Sequence, residues 1–177
     1  TSTHQIYRTM KRMKYNKQIV IGLGFAAMLG AFALTGCGKS GPLPAREDIP
    51  VQKFELSGND KMKFDITELE AKPLQRIELT FKNVGTMPKQ SMGHNWVLLK
   101  PGTNAKVFNE AGLTAAGTNY IPPGQKDKVI ANTNILGPGE SETIKFTAPD
   151  KPGSYDYICT FPGHYAAGMV GVLKIAE

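Results

Sequence analysis

The sequence predicts an all-β sandwich of about seven or eight strands with a short helical flap, and three features carry that prediction. From Val51 onward, apolar and polar residues alternate with period two in short runs. Clusters of Gly, Pro, Asn and Asp separate the runs. No self-similarity at a period of about 20 to 50 residues is present, which sets aside solenoids and propellers.

Taken in chain order, residues 1–36 read as an N-terminal extension and export signal. An apolar run at residues 19–34 follows Lys14 and Lys17 and closes on the small residues Thr35-Gly36-Cys37. The run is slightly short of the ~20 apolar residues that span a bilayer, so an uncleaved signal anchor is the alternative and a core helix a weaker one. Met13, directly before Lys14, stands where such a signal would conventionally start, which would leave residues 1–12 upstream of it. Residues 37–50, with Gly41, Pro42, Pro44 and Pro50, have no apolar period and read as an extended tether.

Residues 51–177 are the domain. Alternation places strands at Met62, Phe64 and Ile66, at Ile77, Leu79 and Phe81, and at Ile144 and Phe146. Turns are expected at Gly58-Asn59-Asp60, Asn83-Val84-Gly85, Gly137-Pro138-Gly139 and Pro149-Asp150-Lys151-Pro152-Gly153. Val97-Leu98-Leu99 and residues 170–175 are more continuously apolar, as central strands covered on both faces would be, and Trp96 is the large core filler. Only residues 106–116, with Gly112 and Gly117 nearby, suggest the helical flap.

Composition narrows the function. The net charge of +6 comes largely from the five basic residues of 1–36, which contain no Asp or Glu, so from Cys37 onward the charge is only about +1. No cluster of Lys and Arg sits beside aromatic residues in the domain, so a nucleic-acid partner is not expected.

Only Cys37 and Cys159 are present, and of the three His, His4 lies in the extension, leaving His94 and His164. Cys159, His164 five residues on and Met169 five residues further make a compact loop of soft and borderline ligands, with His94 the one imidazole left to complete it. Copper suits that set, because a thiolate and two imidazoles with a weak axial thioether leave neither of its oxidation states strongly disfavoured. Each residue alone has a blander fate: Cys159 as a small buried hydrophobe, His164 as a loop histidine, Met169 as core filler. Their joint spacing favours the metal. Zinc would leave the thioether unused, and a binuclear copper site would need a second thiolate.

The segments Ser91-Met92-Gly93-His94-Asn95-Trp96-Val97-Leu98 and Cys159-Thr160-Phe161-Pro162-Gly163-His164 closely resemble the two copper motifs of azurins, and Gly58-Asn59-Asp60-Lys61-Met62 resembles their N-terminal strand. Four residues separate His164 from Met169 where azurins have three, a plastocyanin-like spacing, and the azurin disulfide is absent; the hybrid is similar to the auracyanins of filamentous phototrophs. The resemblance implies a cupredoxin Greek-key sandwich holding one type 1 copper, and electron transport rather than enzymatic turnover. It implies a weak axial approach by the Gly93 carbonyl, bracing by Asn95, and a hydrogen bond from the Phe161 amide to the Cys159 sulfur. Met62, Met92, Phe161 and Pro162 are expected to surround an exposed edge of His164 as a docking patch of low charge. Leu34-Thr35-Gly36-Cys37 resembles a bacterial lipobox, implying a lipid on Cys37 and a monomer tethered to the outer face of the cell membrane or in the periplasm. Its expected partners are membrane-bound or periplasmic redox proteins. The alternative reading is copper storage or delivery.

Overall fold

The structure, a computed structural model, describes residues 50–176. Nine strands form two sheets: β1 (Gln52–Asn59), β2 (Lys63–Phe64), β3 (Glu68–Ala71), β4 (Arg76–Asn83), β5 (Val97–Leu99), β6 (Val129–Asn132), β7 (Ser141–Thr147), β8 (Gly153–Ile158) and β9 (Val170–Ile175). One sheet has the order β2-β1-β4-β7 and the other β3-β9-β8-β5-β6. Each contains one parallel pair, β1 with β4 and β3 with β9. Two short helices, α1 (Lys89–Met92) and α2 (Ala105–Gly112), lie in the connections flanking β5.

Alternation in β4 sets the core. Ile77, Leu79 and Phe81 turn inward and are essentially inaccessible to water, while Glu78 on the outer face pairs with Lys53 and Lys145. Opposite them, Leu98, Tyr157 and Leu173 of the second sheet close the interior. Trp96 lies at its centre with no exposure, stacked between Tyr157 and Phe146 with ring centroids 5.5 and 5.8 Å away.

The flap is α2, capped by the Asn104 side chain accepting from the Val107 amide. It ends at Gly112, where a Cβ would stand 2.1 Å from the Tyr120 carbonyl oxygen. Phe108 and Ala105 press onto Val97, Leu99, Ile121 and Ile158, forming a second, smaller core beneath the flap.

Three sequence expectations are corrected. Residues 62–66 are not a full alternating strand: Met62 has φ +55° in a turn closed by its amide on the Asn59 carbonyl, and only Lys63–Phe64 pair with β1. Residues 170–175 are not covered on both faces, because Val170 and Lys174 are exposed on the outer face of β9. Gly58-Asn59 lies within β1 rather than in the turn, which falls one or two residues later. No helix among the described residues is long and apolar enough to cross a membrane; the apolar run 19–34, Cys37 and the tether as far as residue 49 lie outside the described residues.

Candidate metal centre

Three connections converge at one end of the sandwich. His94 follows α1 just ahead of β5 and is fixed by a two-way backbone bridge: its amide donates to the Leu136 carbonyl at 3.1 Å and the Leu136 amide returns to His94 at 2.7 Å. Cys159 immediately follows β8, and its amide donates to the Met169 carbonyl at 3.1 Å. His164 and Met169 occupy a compact turn, in which the Met169 amide reaches the His164 carbonyl at 2.9 Å. The loop thus closes on itself, with ligand-type side chains at both ends.

The donor atoms of His94, Cys159 and His164 all lie within 4.8 Å of one another. The two Nδ1 atoms are 3.1 Å apart, and the Cys159 sulfur is 3.4 Å from His164 Nδ1. Metal–imidazole bonds of ~2.0–2.1 Å set two nitrogens on a shared ion roughly 3 Å apart, so the spacing fits one small ion. His94 and Cys159 have no exposure and His164 has 2%. The edge of His164, expected to be open, is therefore only a sliver, since the Phe161 ring packs against it at 4.7 Å.

Burial sets the protonation of these side chains, keeping the thiol protonated and the imidazoles neutral. Burial pushes the Cys159 thiol up to about 12, partly offset by the Asn95 and Phe161 amides at its sulfur. Burial and the neighbouring His94 lower His164 to about 4, and burial lowers His94 as well. Both imidazoles are accordingly neutral near pH 7, with lone pairs available. His94 Nε2 is buried without a partner in hydrogen-bonding geometry, although the Asn59 carbonyl is near enough to favour the charged ring.

Met169 is completely buried. A Cβ on Gly58 would stand 2.7 Å from the Met169 methyl and 3.2 Å from the His94 ring, so both side chains close on this point of β1 because Gly58 has no side chain. Gly93 is buried between α1 and His94, and a Cβ there would meet Ile135 at 2.5 Å and the Lys89 carbonyl at 2.7 Å. Met62, Met92 and Pro162 are half-buried and Phe161 is 7% exposed.

Asn95 ties the two motifs together. Its Oδ1 accepts from the Thr160 amide at 2.8 Å and its Nδ2 donates to Thr160 Oγ1 at 2.8 Å. Thr160 Oγ1 also lies 2.8 Å from the Asn119 carbonyl, and Asn109 of α2 donates to the Thr160 carbonyl at 3.2 Å. On the other side, buried Asn83 donates to the Leu136 carbonyl at 3.0 Å, beneath the His94 bridge. Thr160 stood within a motif, but Asn83 read only as turn punctuation, and neither Asn119 in its loop nor Asn109 within α2 gave a sign of reaching the site.

Residues 51–176 match the model of the copper binding proteins of the plastocyanin/azurin family. Azurin iso-2 of Methylomonas sp. (strain J) is 38% identical over 126 residues, covering 69% of this chain and 95% of that protein. Outer membrane protein H.8 of Neisseria gonorrhoeae is 37% identical over 113 residues, covering 63% of this chain and 61% of that protein. The crystal structure of dithionite-reduced auracyanin from Roseiflexus castenholzii superposes with a TM-score of 0.63 at 38% identity, covering 71% of this chain and 97% of that one. With the family model spanning the whole sandwich and the three donor side chains meeting at one end of it, this chain belongs to the plastocyanin/azurin family of blue copper proteins.

Proposed function

We propose that the chain is a membrane-tethered carrier of single electrons in a respiratory or photosynthetic chain, its copper held by His94, Cys159, His164 and Met169. The observation that carries this reading is the closed cluster of one thiol and two neutral imidazoles, with the buried Met169 methyl and the His94 ring both lying against Gly58. Members of the family are electron carriers rather than enzymes, and the cofactor is one copper.

Bound copper supplies a one-electron couple between its +1 and +2 states. The protein's part is to hold the donors still. Asn95 and Thr160 lock the His94 and Cys159 segments together, the Leu136 bridge fixes His94, and the loop's own backbone bonds fix His164 and Met169. A donor set held in one arrangement needs little reorganisation when charge changes, which is what rapid outer-sphere transfer requires. The Asn95 and Phe161 amides at the Cys159 sulfur stabilise its negative charge and tune the potential. The Gly93 carbonyl, on the residue before His94, would be a further weak oxygen contact for the copper.

Electrons enter and leave beside His164, where Met62, Met92, Phe161 and Pro162 offer an apolar docking patch for periplasmic or membrane-bound redox proteins. The outer-membrane location in the name of the Neisseria relative supports an extracytoplasmic site of action. The lipobox-like Leu34-Thr35-Gly36-Cys37 supports a lipid on Cys37 followed by a tether at residues 37–50. Near-complete burial of the donors disfavours the exchangeable site that copper storage or delivery would use.

The test is the visible and EPR spectra of the copper-loaded fragment 38–177 beside Cys159→Ser. An intense thiolate-to-copper band near ~600 nm is expected, lost in the variant. No such band in the parent fragment would reject the ligand set. Repeated voltammetric cycling without loss of copper separates a carrier from a delivery protein.

A further inference from the structure

The His164–Met169 turn is held from outside by a residue 104 positions away in sequence. The Lys63 ammonium donates to the Ala167 carbonyl at 2.6 Å, and the Gly168 carbonyl lies 3.4 Å from the same nitrogen. Among the described residues neither carbonyl accepts a backbone N–H, and Lys63 forms no ion pair with an acidic side chain. These two oxygens are therefore the protein partners of the Lys63 ammonium.

The geometry that aims Lys63 is built in. The Asn59–Met62 turn closes by the Met62 amide on the Asn59 carbonyl, with Asn59 Oδ1 accepting from the Lys61 amide. The next residue, Phe64, is buried edge-on against Phe81 and Tyr157, which fixes the backbone of β2. On the receiving side Gly168 has φ +85°, and a Cβ there would stand 2.9 Å from the Lys63 nitrogen. The glycine both permits the turn and leaves the ammonium room to approach.

We propose that Lys63 is a positioning residue for Met169, an ammonium clip on the two carbonyls that precede it in the loop, which holds the Met169 side chain in place against Gly58. The inference rests on the copper reading above. Without the clip, Ala167 and Gly168 are free to turn their carbonyls to water, and Met169, the next residue, moves with them. A charge-assisted hydrogen bond is roughly twice as strong as a neutral one, so one such contact is enough to set the opening equilibrium of a short exposed turn.

The test compares the full chain with Lys63→Met and Lys63→Arg. In the copper-free proteins, amide hydrogen exchange at Gly168 and Met169 is expected to be about tenfold faster in Lys63→Met, the effect of losing one hydrogen bond to a charged group, and restored in Lys63→Arg. In the copper-loaded proteins the EPR signal of Lys63→Met is expected to broaden, from a spread of thioether positions, and to sharpen again in Lys63→Arg. Exchange equal to the parent's in Lys63→Met would overturn the clip. Faster exchange with an unchanged EPR signal would overturn its role in placing Met169. If the parent chain itself showed no blue signal, the ligand assignment would fall, while the copper-free exchange comparison would still report on the clip.

Discussion

At the scale of single residues, the site is made by burial acting on three titratable groups in opposite directions. The Cys159 thiol is pushed up to about 12, so the copper-free protein keeps it protonated at neutral pH; His164, lowered to about 4, is already neutral. Copper uptake must then expel one proton, from sulfur and not from imidazole. Copper affinity is expected to rise about tenfold per pH unit between about pH 7.5 and 9, because the folded thiol stays protonated over that window while His164 and His94, both lowered by burial, are already neutral there. Competition titrations with a chelator of known proton linkage check the slope; a flat profile would mean that the sulfur is ionised before metal arrives. The cluster of His94, Cys159 and His164 was legible because Cys159 and His164 share one loop and His94 was the one imidazole left in the domain. Gly58 was not legible for what it does. It read as turn punctuation, whereas it sits in β1 and its missing side chain makes room for the Met169 methyl. Only the register of β1 against the loop reveals that.

At the scale of elements, the flap and the metal loop are joined but do different work. Phe108 of α2 is buried in the smaller core with Val97, Leu99 and Ile158, against which Tyr165 of the loop also packs, and Asn109 of the same helix donates to the Thr160 carbonyl, whereas the Cys159 and Met169 side chains belong to the larger core. Phe108→Ala is therefore expected to cost about 3–5 kcal/mol in urea unfolding of the copper-free protein while leaving the copper absorption band in place. A shifted band at unchanged stability would show that the flap sets the site rather than the core. Periodicity found β4 and β7, where alternate residues turn inward, and a continuous apolar run found β5, which is buried at all three residues. It failed at residues 62–66, where the apolar spacing of Met62, Phe64 and Ile66 mimics a strand but Met62 adopts a left-handed turn. It also could not give the parallel pairings of β1 with β4 and β3 with β9, since alternation reports which face is buried and not which strand lies alongside.

At the scale of the whole molecule, the direction of β1 decides how the domain presents its copper. The strand enters the sandwich at Gln52, opposite Ile77, and ends beside the metal centre, where Gly58 meets Met169 and His94. Six residue steps of extended chain span roughly 20 Å. Val51 therefore lies at the end of the sandwich remote from His164, where the proposed tether would attach. Charge gives the companion argument: from Cys37 onward the chain carries only about +1, too little to steer a partner over more than a Debye length of ~8–10 Å. Stopped-flow oxidation by a soluble one-electron acceptor protein should then run at the same rate, within about twofold, for the lipid-bound protein on neutral vesicles and for the free fragment 38–177. Both rates should vary by less than about threefold between ~50 and ~300 mM salt, since steering is weak at either ionic strength. A tenfold loss on vesicles would mean that the copper end faces the bilayer and that the partner is itself embedded there. A steep salt dependence with equal rates would instead place a charged docking surface away from the apolar patch around His164.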